Sequence, residues 1–292
     1  MKRTSSRLNI HSARFQKIDL LKYAFMYILL FAICFPFVWM IVMSLKTDVE
    51  LFSAPLSLPV VPQWENYRIA FEKINFPLFA KNTFILAICA VSCEVVFHFM
   101  AAFAICRLRF TSARMRRVQS FFYYLFTLGL MIPGFIGLYP TYLMSAKIGI
   151  LDTYYSIFLP YVGGAVAFNS MLLIGSLRDF PQDLEDAAMI DGCSLIQLMI
   201  RVSAPITAPA LATVIIWNFL GVWNEYPLAV VMINKAEMRT LSLAAALFKS
   251  QWNTSYAGLT AGLVVLLIPQ LLFYAFFQKY IAAGMMAGAI KG

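Results

Sequence analysis

Residues 183–209 read DLEDAAMIDGCSLIQLMIRVSAPITAP, and the stretch lies between two long apolar runs. Asp183, Glu185, Asp186 and Asp191, with Asp179 just upstream, put five acids into a short loop on a face that is otherwise basic. The pattern predicts two short helices meeting at a glycine. Pro181 suits a first helical turn, and the acids beside it complement the positive end of that helix. Ala187 and Ala188 are small and let another protein's surface come close. Gly192 can bend where other residues resist. Ser194 and Gln197 form an S-x-x-Q capping box that restarts the helix, and Pro205 stops or kinks it. An ordered, capped, partly polar helix pair between apolar spans reads as a docking surface.

Those flanking runs belong to a membrane protein. Apolar residues make up 61% of the chain and charged ones 13%, with mean hydropathy +0.76. That balance lies outside the soluble globular range. Hydropathy predicts six spans, at about 23–45, 83–105, 121–143, 156–177, 208–233 and 256–280, each meeting the roughly 20 residues a crossing needs. The first run is too long for a signal-peptide core and lacks a small-residue cleavage site, so it is retained as a span.

With the N-terminus inside, 15 of the 23 Lys and Arg residues fall on the cytoplasmic side. They are the six before the first span, the five at 107–117, Arg178 and Arg201 around the acidic loop, and Lys279 and Lys291 at the end. This bias places both termini in the cytoplasm. The net charge of +9 is therefore a topology signal and not a nucleic-acid footprint. The expected organisation is a cytoplasmic segment 1–22, a transmembrane domain 23–280 with its loop at about 178–207, and a cytoplasmic tail 281–292.

Several chemistries are excluded. The five cysteines form no C-x-x-C and read as small buried thiols. Two histidines and no clustered Cys or carboxylate ligands in the spans argue against a metal. No G-x-x-x-x-G-K-[ST] occurs, so ATP is not bound here through a P-loop. The third span carries Pro133, Gly134, Gly137 and Pro140, a break tolerated only where backbone is buried in protein or faces water.

In register, Asp186, Ala187, Ala188, Gly192, Val202, Ala204 and Pro205 fit the pattern E-A-A-x-x-x-G, nine residues, I-x-L-P. The segment thereby resembles the EAA loop of ABC importer permeases. Asp186, Val202 and Ala204 depart from it, standing for Glu, Ile and Leu, and Glu185 leaves a longer carboxylate next door. Elsewhere, Trp64-Glu65-Asn66-Tyr67, Asn82, Ala101-Ala102-Phe103-Ala104, Arg107-Leu108-Arg109-Phe110, Met131-Ile132-Pro133, Leu151-Asp152-Thr153 and Leu159-Pro160 resemble the permeases of carbohydrate importers. Trp223-Asn224-Glu225-Tyr226 is similar to that family's W-N-E-F. The ending Gln278-Lys279-Tyr280, Gly284, Gly288-Ala289-Ile290-Lys291-Gly292 resembles the C-terminus of the maltose-type second permease subunit.

The resemblance implies an all-α integral membrane fold of six transmembrane helices with a cytoplasmic two-helix coupling loop, the type I ABC importer permease fold. It implies a multi-pass protein of a bacterial inner membrane that imports a carbohydrate. It also implies four kinds of partner: a homologous permease forming a heterodimer, an ATP-binding cassette ATPase dimer, an extracytoplasmic solute-binding protein and the sugar. The chain itself is then no enzyme, has no catalytic residue and no cofactor, and leaves ATP and Mg to the partner ATPase. Glu185, Asp186, Ala187, Ala188, Asp191, Gly192 and Pro205 would couple to the ATPase. Gly288, Ala289, Ile290, Lys291 and Gly292 would enter the ATPase interface. The outer loop 234–255, with Lys235, Arg239, Lys249, Gln251 and Trp252, would reach towards the binding protein.

Polar residues within the spans are the remaining candidates. Asn218, Trp223, Asn224 and Glu225 combine amides, an acid and an aromatic face, the groups that bind sugar hydroxyls and stack on pyranose rings, and are expected to line or gate a pathway; interfacial aromatics are the alternative for Trp223. Glu94 and His98 lie one helical turn apart on one face. They form either a proton relay or path lining, or an internal hydrogen bond or glue between helices. A stand-alone proton-coupled carrier using this pair is the competing function. A membrane enzyme would need a nucleophile–base constellation that two histidines hardly allow.

Overall fold

The computed structural model describes the backbone of residues 5–179, 181–248 and 255–289, and the side chains of those from 22 to 278. All regular structure among the described residues is helical. In chain order the helices are α1 Ser5–Ser44, α2 Asp48–Ser53, α3 Glu65–Ile74, α4 Phe76–Cys106 and α5 Ala113–Gly129. A short tight turn of helix, Gly134–Gly137, leads into α6 Leu138–Lys147, α7 Tyr155–Gly164, α8 Val166–Arg178 and α9 Asp183–Ile190. Then come α10 Leu195–Gln197, a wide-wound segment Leu198–Ser203, α11 Ala204–Ile206, α12 Ala208–Asn224, α13 Pro227–Met232 and α14 Tyr256–Ala289.

Four stretches are long and apolar enough to cross a membrane singly: Lys22–Ser44, Phe76–Cys106, Tyr155–Arg178 and Tyr256–Gln278. Two more qualify only as bent pairs, Ala113–Gly129 with Gly134–Lys147 at 101° and Leu195–Ile206 with Ala208–Asn224 at 80°. The expected third span is thus not one rod. Pro133 has no N–H to continue the ladder, and the chain turns a right angle there. The expected fifth span also stops early, at Asn224. Glu225 is extended (φ −69°, ψ 106°), and Pro227, lacking an N–H, opens α13 instead of prolonging α12.

The chain divides into two compact units, 1–71 with 248–265, and 72–247 with 266–292. In the first, the loop after α1 is built on Lys46, whose side chain is fully buried. Its ammonium donates to Ala54 O (2.8 Å), Pro55 O (3.2 Å) and Ser57 Oγ (3.3 Å) and lies over the Trp39 ring. Three oxygens for three N–H bonds offset the cost of burying the charge. Thr47 and Glu50 cap α2 reciprocally, and Asn66 Nδ2 donates to Ser44 O and Lys46 O (2.9 Å each). Asp48 accepts from Ala257 N (2.7 Å) in the first turn of α14. The segment 45–64, which carries Pro55, Pro59 and Pro62, is therefore ordered by polar contacts.

In the second unit α4 is the central helix and packs on α5, α7, α8 and α12. Phe99, Ala102 and Phe103 of α4 bury against Leu173, Ile174 and Leu177 of α8, Leu198 and Val214. The approach of α5 to α8 is tight at Gly129, where a Cβ would meet the Ala167 methyl at 3.0 Å. His98 does not bond Glu94. Its Nε2 faces Val162 O (3.0 Å), and its Nδ1 accepts from Asn169 Nδ2 (3.0 Å). Both ring nitrogens thus tie α4 to α7 and α8, so the helix-gluing alternative describes this histidine.

Candidate functional site

A buried ion pair ties the acidic loop to the helix bundle, whose core Ala188, Leu198 and Val202 also join. Arg107 follows α4 directly, and its guanidinium lies 3.2 Å from Glu185 Oε1 of α9; the side chains are 3% and 8% exposed. Arg107 also donates to Leu177 O at the end of α8, and Ser203 Oγ donates to Glu185 Oε1 (3.0 Å). Beside this pair, Arg109 donates to Gln182 Oε1 (2.7 Å) and stands 3.6 Å from Asp186. The acids expected to serve a docking surface thus divide. Glu185 faces inward as an anchor, whereas Asp183, Asp186 and Asp191 are exposed.

Gly192 has φ +82°. Cys193 N donates to Ala188 O (3.0 Å) and Gly192 N to Met189 O (3.1 Å). These are the two bonds of a Schellman cap, which places a left-handed residue just past the helix end. Ser194 and Gln197 then form both halves of the expected capping box, at 3.3 and 2.9 Å. Pro205 lies exposed near the 80° bend. Its missing N–H leaves a carbonyl four residues back without its α-helical partner, and residues 198–203 adopt the wider winding. Outward from this frame point Leu184, Ala187, Ile190 (87% exposed), Ile196 and Ile200. Ala188 instead packs against the core. The result is an apolar ridge with a rim of carboxylates on a rigid, capped helix pair.

The four residues expected to line a pathway have separate surroundings. Trp223 is buried, stacked on Phe219 and edge-on to Phe84. Asn218 is 8% exposed, and among the described residues its Nδ2 makes no hydrogen bond. Asn224 is exposed and donates to Leu220 O (2.9 Å) in its own helix. Glu225 accepts from Leu228 N (2.7 Å), capping α13. Of the four, Glu225 alone reaches the cavity of about 770 Å³ at the right-angle bend, which Pro133, Gly134, Tyr161, Gly164 and Pro227 also line.

At the other end of the unit, Asp152 adopts φ +56° and accepts from Asn234 N and from Lys235 N (2.9 Å). Asn82 donates to Glu237 O (2.8 Å) and Arg239 O (2.9 Å) and accepts from the Tyr154 hydroxyl (2.7 Å). These bonds bolt down residues 234–239, a role that reading Asp152 and Asn82 as motif letters alone did not reveal. Lys249, Gln251 and Trp252 lie outside the described residues, as do Ile290, Lys291 and Gly292; the backbone is helical through Gly288 and Ala289.

The backbone N–H donors of Lys235 and Asn234 hold the Asp152 carboxyl below its ordinary pKa. The contact is accordingly complete above the ordinary aspartate value of about 4 and is lost as pH falls through the lowered one. Asp152→Asn should loosen residues 234–239 at neutral pH. Amide hydrogen exchange there is expected to rise in that variant and, for the native chain, only under acid. Unchanged protection in Asp152→Asn would remove the assignment.

Residues 99–287 match the family model described as the binding-protein-dependent transport system inner membrane component. An ABC transporter permease protein of Caldicellulosiruptor sp. is 35% identical over 88% of this chain and 91% of its own length. The trehalose/maltose transport system permease protein of Thermococcus litoralis is 32% identical over 91% of this chain and 94% of its own. The diacetylchitobiose uptake system permease protein of Streptomyces coelicolor is 30% identical over 88% and 83%. In fold, the chain is similar to a bacterial ABC transporter involved in the import of the acidic polysaccharide alginate, at TM-score 0.74 and 21% identity, over 96% of this chain and 99% of that one. Together with the apolar helices these matches settle the family: the chain is a multi-pass membrane permease belonging to the binding-protein-dependent transport system inner membrane components.

Proposed function

We propose that the chain is one of two related permeases in an ATP-driven carbohydrate importer, with both termini in the cytoplasm. The observation that carries the mechanism is the docking loop, apolar and acid-rimmed outside, yet tied inside to the end of α4 through Glu185 and Arg107. A separate ATPase subunit seats the α9–α11 ridge in a cleft of its own surface. Closure of the ATPase dimer on ATP then moves a rigid lever attached to α4 and α12, and the bundle passes from inward-facing to outward-facing. Such a shift needs contacts that differ between the two states, which the moving ATPase supplies.

Sugar is the substrate class favoured by relatives named for trehalose/maltose and diacetylchitobiose transport. It would pass the cavity that Glu225 and Tyr161 border, delivered by an extracytoplasmic binding protein that meets the outer loop 234–255. The tail beyond Gly288 reaches the ATPase interface. ATP and its Mg stay on the ATPase. The direct test is purification from the native membrane followed by reconstitution. The permease should bring an ATPase with it, and vesicles should take up sugar only with ATP and binding protein. Uptake by the purified chain alone under a proton gradient would overturn the proposal.

A further inference from the structure

Of the five arginines at 107–117, four divide into two pairs with different surroundings. Arg107 and Arg109 meet Glu185 and Asp186 of the docking loop. Arg116 and Arg117 are exposed on the first turns of α5, and among the described residues neither has an acidic partner. Residues 113–124 read ARMRRVQSFFYY, so no carboxylate on the helix itself compensates them. Like charges this close repel, and cations at a helix start also oppose its dipole. An external anion would relieve both.

The surroundings specify what kind of anion. Arg116 and Arg117 border a hollow of about 510 Å³, which shares Ser120 and Tyr124 with a second of about 320 Å³ reaching Arg178 at the end of α8. The Arg178 guanidinium lies 4.8 Å above the Tyr123 ring. Two adjoining hollows that share Ser120 and Tyr124 thus form a groove with Arg116 and Arg117 along one part and Arg178 along the other. Along α5 the same face continues as Phe121, Tyr124 and Leu128, exposed at 61%, 63% and 59%. A ligand matching both parts has an anionic head and apolar tails.

We infer that this groove binds the phosphodiester headgroup of an anionic membrane phospholipid, with the acyl chains lying along α5. The inference rests on the proposed orientation, which puts this end of α5 at the inner leaflet. An ATPase surface fits less well, because the groove runs into a membrane-spanning helix where no soluble subunit can follow. Basic grooves between spans on the cytoplasmic side are suited to such headgroups.

Native mass spectrometry of the assembled importer, released from membranes containing phosphatidylglycerol, counts the lipid retained. Removing two cations in Arg116→Gln/Arg117→Gln should weaken retention about thirtyfold, at about fivefold per cation. Arg116→Lys/Arg117→Lys should keep most of it. Equal retention by the glutamine variant overturns the site, and so does displacement of the lipid by soluble glycerol phosphate. Should the glutamine variant fail to assemble, a photo-cross-linker at Phe121 in the otherwise native chain decides. Adducts with phosphatidylglycerol are expected, and adducts with the ATPase alone would sink the idea. ATP-driven sugar uptake, measured on the same preparations, reports on the transport reading separately: uptake without lipid retention defeats only the lipid site, and retention without uptake defeats only the importer.

Discussion

Glu185→Ala is expected to cost about 3–5 kcal/mol at the junction between the docking loop and the helix bundle. The reason is asymmetry. The Arg107 guanidinium is 3% exposed, so deleting the Glu185 carboxylate takes a charge partner away from a buried cation. Ser203 loses its acceptor in the same step. Thermal unfolding of the purified complex should shift down, and protease should reach the 178–183 connection. Replacing both partners with apolar residues, Arg107→Met with Glu185→Leu, should recover much of the loss, since neither charge then has to be buried. The double variant also separates anchoring from charge. If stability returns and coupled uptake returns with it, the pair is an anchor alone. A Glu185→Ala protein that melts and resists protease like the native chain would show that the loop is held by something else.

How far this site could be read from the sequence depended on whether the relevant contact was local. The capping box at Ser194 and Gln197, the glycine bend and the kink near Pro205 each depend on residues within a turn or two, and all three were legible. The role of Glu185 was not. Its partner lies 78 positions earlier, and in the sequence Arg107 looked like one more positive charge on the cytoplasmic side. The same limit applies to Asp152 and Asn82, whose partners are backbone groups of the 234–239 segment. The spans show a different limit. Hydropathy measures apolar length but not direction, so Pro133 announced a break without revealing a right angle, and the fresh helix start at Pro227 went unread inside an apolar run. Trp223 shows a third. An aromatic beside polar residues suggests sugar stacking, yet burial against Phe84 and Phe219 is decided by helix packing that the sequence does not display.

Gly192→Val is expected to disconnect ATP hydrolysis from uptake while membrane insertion and assembly persist. Two causes are separable here. Space is not the difficulty within this chain, because a Cβ on Gly192 would meet nothing within 4 Å. The backbone is: at φ +82° a β-branched side chain is strained by about 1–3 kcal/mol. That strain falls on the Schellman cap, whose two bonds set the angle between α9 and the helix restarted at Ser194. Relaxing φ to a negative value would swing Ile190 and Ile196 apart and dissolve the ridge proposed to dock on an ATPase. A loss of about 2 kcal/mol in the docked state corresponds to uptake lower by roughly thirtyfold, with ATP turnover by the ATPase much less affected. The substitution series carries the proof. Asn tolerates the left-handed region, so Gly192→Asn should stay close to native, Gly192→Ala should fall between, and Gly192→Val should be worst. If Asn were as damaging as Val, the cause would be a clash with the partner's surface and not the backbone angle. Normal uptake by Gly192→Val would remove the cap from the coupling mechanism altogether.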